Sequence, residues 1–248
     1  MKNYLPILIS NFLLKLDLQI INKKIYHKSF FVKESGRLIN HIAQQYNQLV
    51  SCYPTEEDQR KAEENKILFI NMLYWLGLHS QPCCKILDLG GRGGLFAYYC
   101  GCYGHDAYVS DLPRVLDGNP NKELLELFKV KSIPIEIKPF TPIYTNGIKF
   151  DLITGFRTRF HSKLPFETGK DIEEHWGVPE WDFFLKDLSL NILTKEGRIF
   201  FMLNRLQERE KVDFVPVELV EYFHSIGGRL RQQYLLFQNT AKIIAKSK

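Results

Sequence analysis

The chain has no apolar run long enough to cross a bilayer, no internal repeat, no low-complexity tract and no strong excess of charge of one sign. Each absence removes a class of function. The stretch Tyr4-Leu5-Pro6-Ile7-Leu8-Ile9 leads on to Phe12-Leu13-Leu14. It then gives way to Lys15, Asp17 and Gln19 alternating with Leu16, Leu18 and Ile20, and no small-residue cleavage site follows. That argues against both a signal peptide and a membrane span, and the expectation is a soluble, cytoplasmic protein with no membrane partner. The net charge of +5, from 33 Lys plus Arg against 28 Asp plus Glu, is mild. It lacks the clustered basic stripe of a nucleic-acid binder, so no nucleic acid is expected as partner. Lys242, Lys246 and Lys248 flank Ile243, Ile244 and Ala245, an alternation that reads as a final strand with a solvated end rather than a phosphate-binding tail. Five cysteines, with Cys83 and Cys84 adjacent and Cys100 and Cys102 two apart, make no disulfide framework and fit a reducing compartment. Positions two apart on a helix face different sides, so no metal site is expected from Cys100 and Cys102.

What is present is enough for a full core: 248 residues, 45% of them hydrophobic, with 18 Phe, 12 Tyr and 3 Trp to fill a core or line a pocket. Two regions differ in pattern. Residues 1–80 read as a helical N-terminal extension or cap, with apolar-periodic segments near 4–22, 35–50 and 55–79 and a polar, aromatic link at Tyr26 to Lys33. In the third segment Thr55 is placed to cap, Glu56, Glu57 and Asp58 favour the positive end of the dipole, and Ile67, Ile70, Leu73 and Tyr74 recur at helical spacing before Gly77. Residues 81–248 alternate short apolar runs with helical stretches, the pattern of a doubly wound α/β domain. The expected strands are 85–89, 107–110, 133–137, 150–154, 198–203, 230–238 and 241–245, with helices near 94–103, 120–129, 179–193 and 217–226. Only Asn239-Thr240 separates the last two strands, too little for a parallel crossover, so they are expected to form an antiparallel hairpin after five parallel strands.

The stretch with most chemical content is Lys85-Ile86-Leu87-Asp88-Leu89-Gly90-Gly91-Arg92-Gly93-Gly94, a buried strand entering a glycine-rich turn ahead of a helix. Glycine serves where backbone must turn tightly and let a ligand approach closer than a Cβ allows, and a helix that follows offers free N–H groups to an anion. Asp111 ends the next strand, 23 residues after Asp88. A carboxylate there can accept hydrogen bonds from two ribose hydroxyls.

Asp88, Gly90 and Gly94 resemble the first motif of the class I S-adenosylmethionine-dependent methyltransferases, an acid followed by alternating glycines. Five parallel strands ending in a hairpin resemble the seven-stranded Rossmann-like sheet of the same family. The resemblance covers residues 85–245 and leaves the preface unmatched. It implies an enzyme that binds S-adenosylmethionine and releases S-adenosylhomocysteine. Asp88 would orient the loop and the methionine amino group, and Gly90, Gly91 and Gly94 would give the cofactor room. Asp111, with Leu112 beside it, would hold the ribose. Phe140 is placed to stack on adenine or to serve as a loop or core residue, and Thr154 ends the fourth strand on the cofactor side. Arg92 stands where the family has its middle glycine, which leaves open an altered loop, an added contact to the cofactor carboxylate, or a degenerate site.

Ligands of an open α/β sheet sit beyond the carboxyl ends of the strands, so Thr154 to His161 and the long connection through 162–178 are expected to face the transferred methyl. Methyl transfer to an O or N atom needs in-line alignment and, for a hydroxyl or protonated amine, a base. His161 and then His175 are the expected bases. Arg157 and Arg159 are candidates to grip a carboxylate or phosphate on a small-molecule acceptor, or to pair with Asp171, Glu173 or Glu174. Trp176 or Trp181 would wall the pocket, and Tyr26, His27, Phe30, Phe31 or Tyr46 of the preface would cover it. Nothing selects the acceptor or an oligomeric state. Two alternatives remain: a methyltransferase-fold binding or scaffold protein without turnover, and a nicotinamide-dependent oxidoreductase. The latter is disfavoured because Phe96 falls where its fingerprint needs a third glycine.

Overall fold

Lys85-Ile86-Leu87-Asp88-Leu89 is buried on both faces, as a strand inside the sheet must be, and the strand it forms lies third from one edge and fifth from the other. The computed structural model describes residues 55–158, 160–163, 174–203 and 215–245. The expected helices at 4–22 and 35–50 and the aromatic link between them lie outside the described residues. The chain divides into two units, Met1–Gln81 and Pro82–Lys248. In the first, helix α1 (Glu56–Trp75) starts immediately after Thr55 and is followed by a 3-10 turn at Leu78–Ser80. Gly77 between them has φ 73°, the left-handed conformation that ends helices and that glycine adopts without steric cost.

The second unit carries a seven-stranded sheet. Its elements are β1 (Lys85–Leu89), α2 (Leu95–Cys102), β2 (Asp106–Asp111), α3 (Pro113–Leu116), α4 (Asn121–Phe128), β3 (Lys131–Pro134) and β4 (Phe150–Phe156). A separate ribbon of β5 (His161–Lys163) and β6 (Glu174–His175) follows. Then come α5 (Val178–Asp187), which runs on into a π-helical turn at Leu188–Ile192, β7 (Leu193–Met202), α6 (Val217–Ser225), β8 (Arg229–Arg231), β9 (Tyr234–Phe237) and α7 (Ala241–Ala245). The strand order is β3-β2-β1-β4-β7-β9-β8. β3, β2, β1, β4 and β7 are mutually parallel, and β9 runs antiparallel to both neighbours. This is the sheet of five parallel strands closed by an antiparallel hairpin expected from the sequence. Among the described residues no helix is long and apolar enough to cross a membrane.

The hairpin itself sits earlier than expected. The run read as one strand at 230–238 contains both β8 and β9, turning at Gln232 with φ 54°, and the segment read as a last strand, 241–245, is helix α7. The Asn239 side chain decides it. Its Oδ1 accepts the Ala241 N–H at 2.7 Å as a cap does, and Ile243 is buried, whereas five residues are too few for periodicity alone to separate strand from helix.

Alternation along the strands sorts the core into two layers. Leu87, Leu89, Ile153, Ile199 and Phe201 pack on one face with Trp181, Phe184, Leu188 and Phe223 from the α5, π-turn and α6 segments. Val109 points to the other face, where it meets Leu116 and Leu125 of α3 and α4. Asp88 lies between Leu87 and Leu89 in β1, so its side chain shares Val109's side of the sheet. The chain leaves β1 toward β2 on one side and returns to β4 on the other, so the crossover direction reverses between β1 and β4. Such a switch point leaves a crevice beyond the carboxyl ends of the two strands.

Candidate functional site

The glycine loop forms one lip of that crevice. Its backbone is left-handed at every second residue, with φ 71° at Gly90, 49° at Arg92 and 74° at Gly94. The two glycines between meet a different constraint. A Cβ on Gly91 would fall against Asp88 Oδ2 and Val109 Cγ2, and one on Gly93 would lie 2.6 Å from Leu124 Cδ1. So 90 and 94 are glycine chiefly for conformation, and 91 and 93 for space. Position 92 needs the conformation but not the space, because its side chain is exposed. A non-glycine residue in this region costs on the order of 1 kcal/mol, which the surrounding bonds can hold. Arg92 therefore takes the left-handed conformation that a glycine adopts there without steric cost.

Those bonds are mainly to the end of β2. The Gly90 and Gly91 N–H groups donate to the Ser110 carbonyl at 2.7 and 3.2 Å, and Gly94 N–H donates to Gly91 O at 2.9 Å. Asp111 completes the frame: its Oδ2 accepts the Arg92 N–H at 3.2 Å and its Oδ1 the Leu112 N–H at 2.8 Å. Each oxygen keeps acceptor capacity beyond one N–H, and Asp111 is half-buried, so two hydroxyls can still be received from the solvent side. Leu112 is held at the turn into α3, where it precedes Pro113.

Asp88 lies under the loop rather than at its surface. It is 2% exposed, Gly91 covers it, and its Oδ1 accepts the Thr154 hydroxyl at 2.8 Å from the paired position on β4. Burial pushes its carboxyl up to about 7; the Thr154 hydrogen bond works against that shift and the nearby Asp111 charge adds to it. Thr154 is itself fully buried, with its hydroxyl spent on Asp88. Both residues are thus placed to support the loop from beneath.

On the other lip, β4 ends at Phe156 and the chain turns through Arg157, φ 57°, whose N–H donates to Met202 O at 2.7 Å. The Arg157 side chain is exposed, and Arg159 lies outside the described residues. His161 and His175 occupy opposed register positions in the backbone of the β5–β6 ribbon. The ribbon is rooted by the Trp176 N–H donating to Phe160 O at 3.1 Å. Trp176, expected to wall the pocket, is 2% exposed and packs among Phe160, Trp181 and Phe184 at centroid distances of 5.2 to 5.7 Å. Burial on that scale contributes about 2 to 3 kcal/mol per ring, which is a core role, and Trp181 shares it. Phe140, expected against adenine, is 54% exposed, has φ 53° and meets the edge of Phe183 in the middle of α5.

Two residues of the site carried no signal in the sequence. Ser110 supplies the carbonyl that holds the loop, and its own buried hydroxyl has no partner among the described residues. Thr158 donates its hydroxyl to Leu89 O at 2.7 Å and fills the space above Gly90 and Gly155. Either would have read as an ordinary Ser or Thr near a strand end. Among the described residues no group of three or more His, Cys, Asp or Glu is placed to hold a metal ion.

No family model and no curated protein matches the chain. Solved structures do. A sarcosine dimethylglycine methyltransferase candidate from Galdieria sulphuraria is similar at 17% identity and TM-score 0.40, over 58% of this chain and 47% of that one. An O-methyltransferase candidate from Nostoc punctiforme is similar at 17% identity and TM-score 0.39, over 63% of this chain and 40% of that one. A TehB-like S-adenosylmethionine-dependent methyltransferase from Corynebacterium glutamicum is similar at 16% identity and TM-score 0.42, over 79% of this chain and 94% of that one. The chain thus spans less than half the length of the first two. At such identities and TM-scores these likenesses assign this chain no substrate and no partner.

Proposed function

We propose that the chain is an S-adenosylmethionine-dependent methyltransferase acting on an O or N atom of a small-molecule acceptor. The observation that carries the reading is the glycine loop, left-handed at 90, 92 and 94 and closed to side chains at 91 and 93, with the Asp111 carboxylate at its rim. A cradle that a Cβ would fill, next to a carboxylate with unused acceptor capacity, fits an adenosyl group with its vicinal hydroxyls.

In this reading Asp111 accepts the ribose hydroxyls and Leu112 lies against the adenosine. Gly90, Gly91 and Gly94 let the amino-acid end approach the backbone, while Asp88 and Thr154 hold the loop from below. Arg92, exposed at the middle of the loop, is positioned to meet the cofactor carboxylate. When bound, S-adenosylmethionine supplies an electrophilic methyl on a sulfonium. The protein's task is then to exclude water, hold the acceptor lone pair in line and take a proton from it. His161 and His175 are the residues assigned to the proton, and Arg157 and Arg159 to an anionic group on the acceptor. The proposed site of action is cytoplasmic, and residues 1–80 are proposed as a cap on the 81–248 domain.

The test is titration calorimetry of the full chain with S-adenosylhomocysteine, beside Asp111→Ala. The wild type is expected to bind, and the variant to lose about ten- to a hundredfold in affinity, the value of one or two charge-assisted hydrogen bonds. No binding by the wild type, or equal binding by Asp111→Ala, overturns the reading.

A further inference from the structure

The geometry points to Thr158 as the positioning residue that joins the two lips of the switch-point crevice and holds the glycine loop in its ligand-ready shape. The inference rests on the cofactor reading above and adds to it a residue outside the glycine motif.

β1 and β4 pair as far as Leu89 and Gly155 and then diverge, β1 into Gly90 and β4 into Phe156 and Arg157. Beyond that last pair the sheet ladder no longer ties them. Thr158 does. Its hydroxyl donates to the Leu89 carbonyl at 2.7 Å, one residue before the first left-handed position of the loop. The same Oγ1 lies 3.0 Å from where a Cβ would stand on Gly90 and 3.0 Å from where one would stand on Gly155, with Cγ2 3.3 Å from the Gly90 site. One side chain therefore occupies the space above both strand ends, and the two glycines leave room for it. Gly90 is committed at its N–H to Ser110 O. Fixing the Leu89 carbonyl from the opposite side leaves the loop held from β2 on one flank and from the β4 lip on the other.

A loop held in its binding shape loses less freedom when a ligand arrives, so the hydroxyl acts on affinity without touching the ligand. It acts through Leu89 and Gly90. The segment that carries Thr158 is also the segment that continues toward β5, so this bond ties the β4 lip to the glycine loop beyond the last ladder pair.

The experiment is calorimetric titration of the full chain with S-adenosylhomocysteine for the wild type, Thr158→Val, Thr158→Ala and Thr158→Ser, with thermal midpoints measured in parallel. Thr158→Val and Thr158→Ala, which both remove the hydroxyl, are expected to weaken binding about tenfold, while Thr158→Ser stays within about twofold of wild type. Thermal midpoints are expected not to follow that order. Wild-type affinity in the Val or Ala variant overturns the inference, as does a loss in Thr158→Ser equal to that in Thr158→Val, which would make shape and not the hydroxyl the cause. If Thr158→Val does not fold, the Ala and Ser pair decides alone. Absence of binding by the wild type overturns the cofactor reading itself and this inference with it, an outcome distinct from wild-type binding that the variants leave unchanged.

Discussion

The two lips of the crevice are built by different means. The β1 lip is a backbone device: five residues, four of them glycine, whose N–H groups and dihedral angles make the cradle, held to Ser110 O and Asp111 by main-chain donors. The β4 lip is a side-chain device, where Thr158 bonds across to Leu89 and Phe160 anchors the ribbon in an aromatic cluster with Trp176, Trp181, Phe184 and Phe201. A backbone device tolerates almost no added atom. A side-chain device tolerates substitution that preserves packing.

The sharpest way to break the contrast is Gly91→Ala. The new Cβ would meet Asp88 Oδ2 and Val109 Cγ2 with no open direction, and neither neighbour is the far end of a long flexible chain. The expected result is loss of measurable S-adenosylhomocysteine binding and destabilisation by about 3 kcal/mol or more in chemical denaturation. A variant that folds and binds normally would show that the loop is not closed to a side chain there.

Next in size is the pH dependence set by Asp88. Its carboxyl is raised from 3.8 to about 7 by burial, so the folded chain holds a proton that the unfolded chain has released across that interval. Stability contributed by this group is therefore full below about pH 4, falls as pH rises, and levels off above about pH 7. The drop is on the order of 4 kcal/mol at most. Asp88→Asn keeps an acceptor for the Thr154 hydroxyl and has no proton to lose, so its stability relative to wild type should rise between pH 4 and pH 7. Urea denaturation at several pH values reads this directly, and parallel curves for the two proteins would refute it.

The smallest effect is expected at Arg92. Arg92→Gly removes a left-handed strain on the order of 1 kcal/mol and adds unfolded-state entropy of about the same size, so stability should change by less than about 1 kcal/mol. Affinity for S-adenosylhomocysteine separates a contact to the ligand from a degenerate site. A loss of a few-fold assigns the guanidinium to the ligand carboxylate, and a large gain marks Arg92 as the residue by which the site has been degraded.

How much was legible follows the same division. The strand-loop-helix order at 85–103, the pairing of Asp88 with a glycine turn and the position of Asp111 at the end of β2 could all be read, because glycine at 90 and 94 reports a conformation that few other residues accept. The burial of Asp88 and Thr154 could not. Their meeting depends on register between strands 66 residues apart in sequence. Trp176 shows the same limit from the other side: an indole beside a candidate histidine suggests a pocket wall, but the neighbouring rings that take it into the core come from 160, 181 and 184. The hairpin was expected in kind and misplaced by several residues, because Leu230 to Gln238 is apolar enough for one strand and only the turn at Gln232 divides it.

By itself the sequence determined the alternation of strand and helix, the five parallel strands with a closing hairpin, and a tight glycine turn after the first of them. These follow from local steric rules and from the period of apolar residues, which act within a few positions of the chain. Tertiary structure decided which face Asp88 looks to, that Asp111 spends part of its carboxylate on the loop, that His161 and His175 stand opposite each other, and that Thr158 reaches Leu89. Each of those is a contact between separate segments, and strand register, which no single segment encodes, places them.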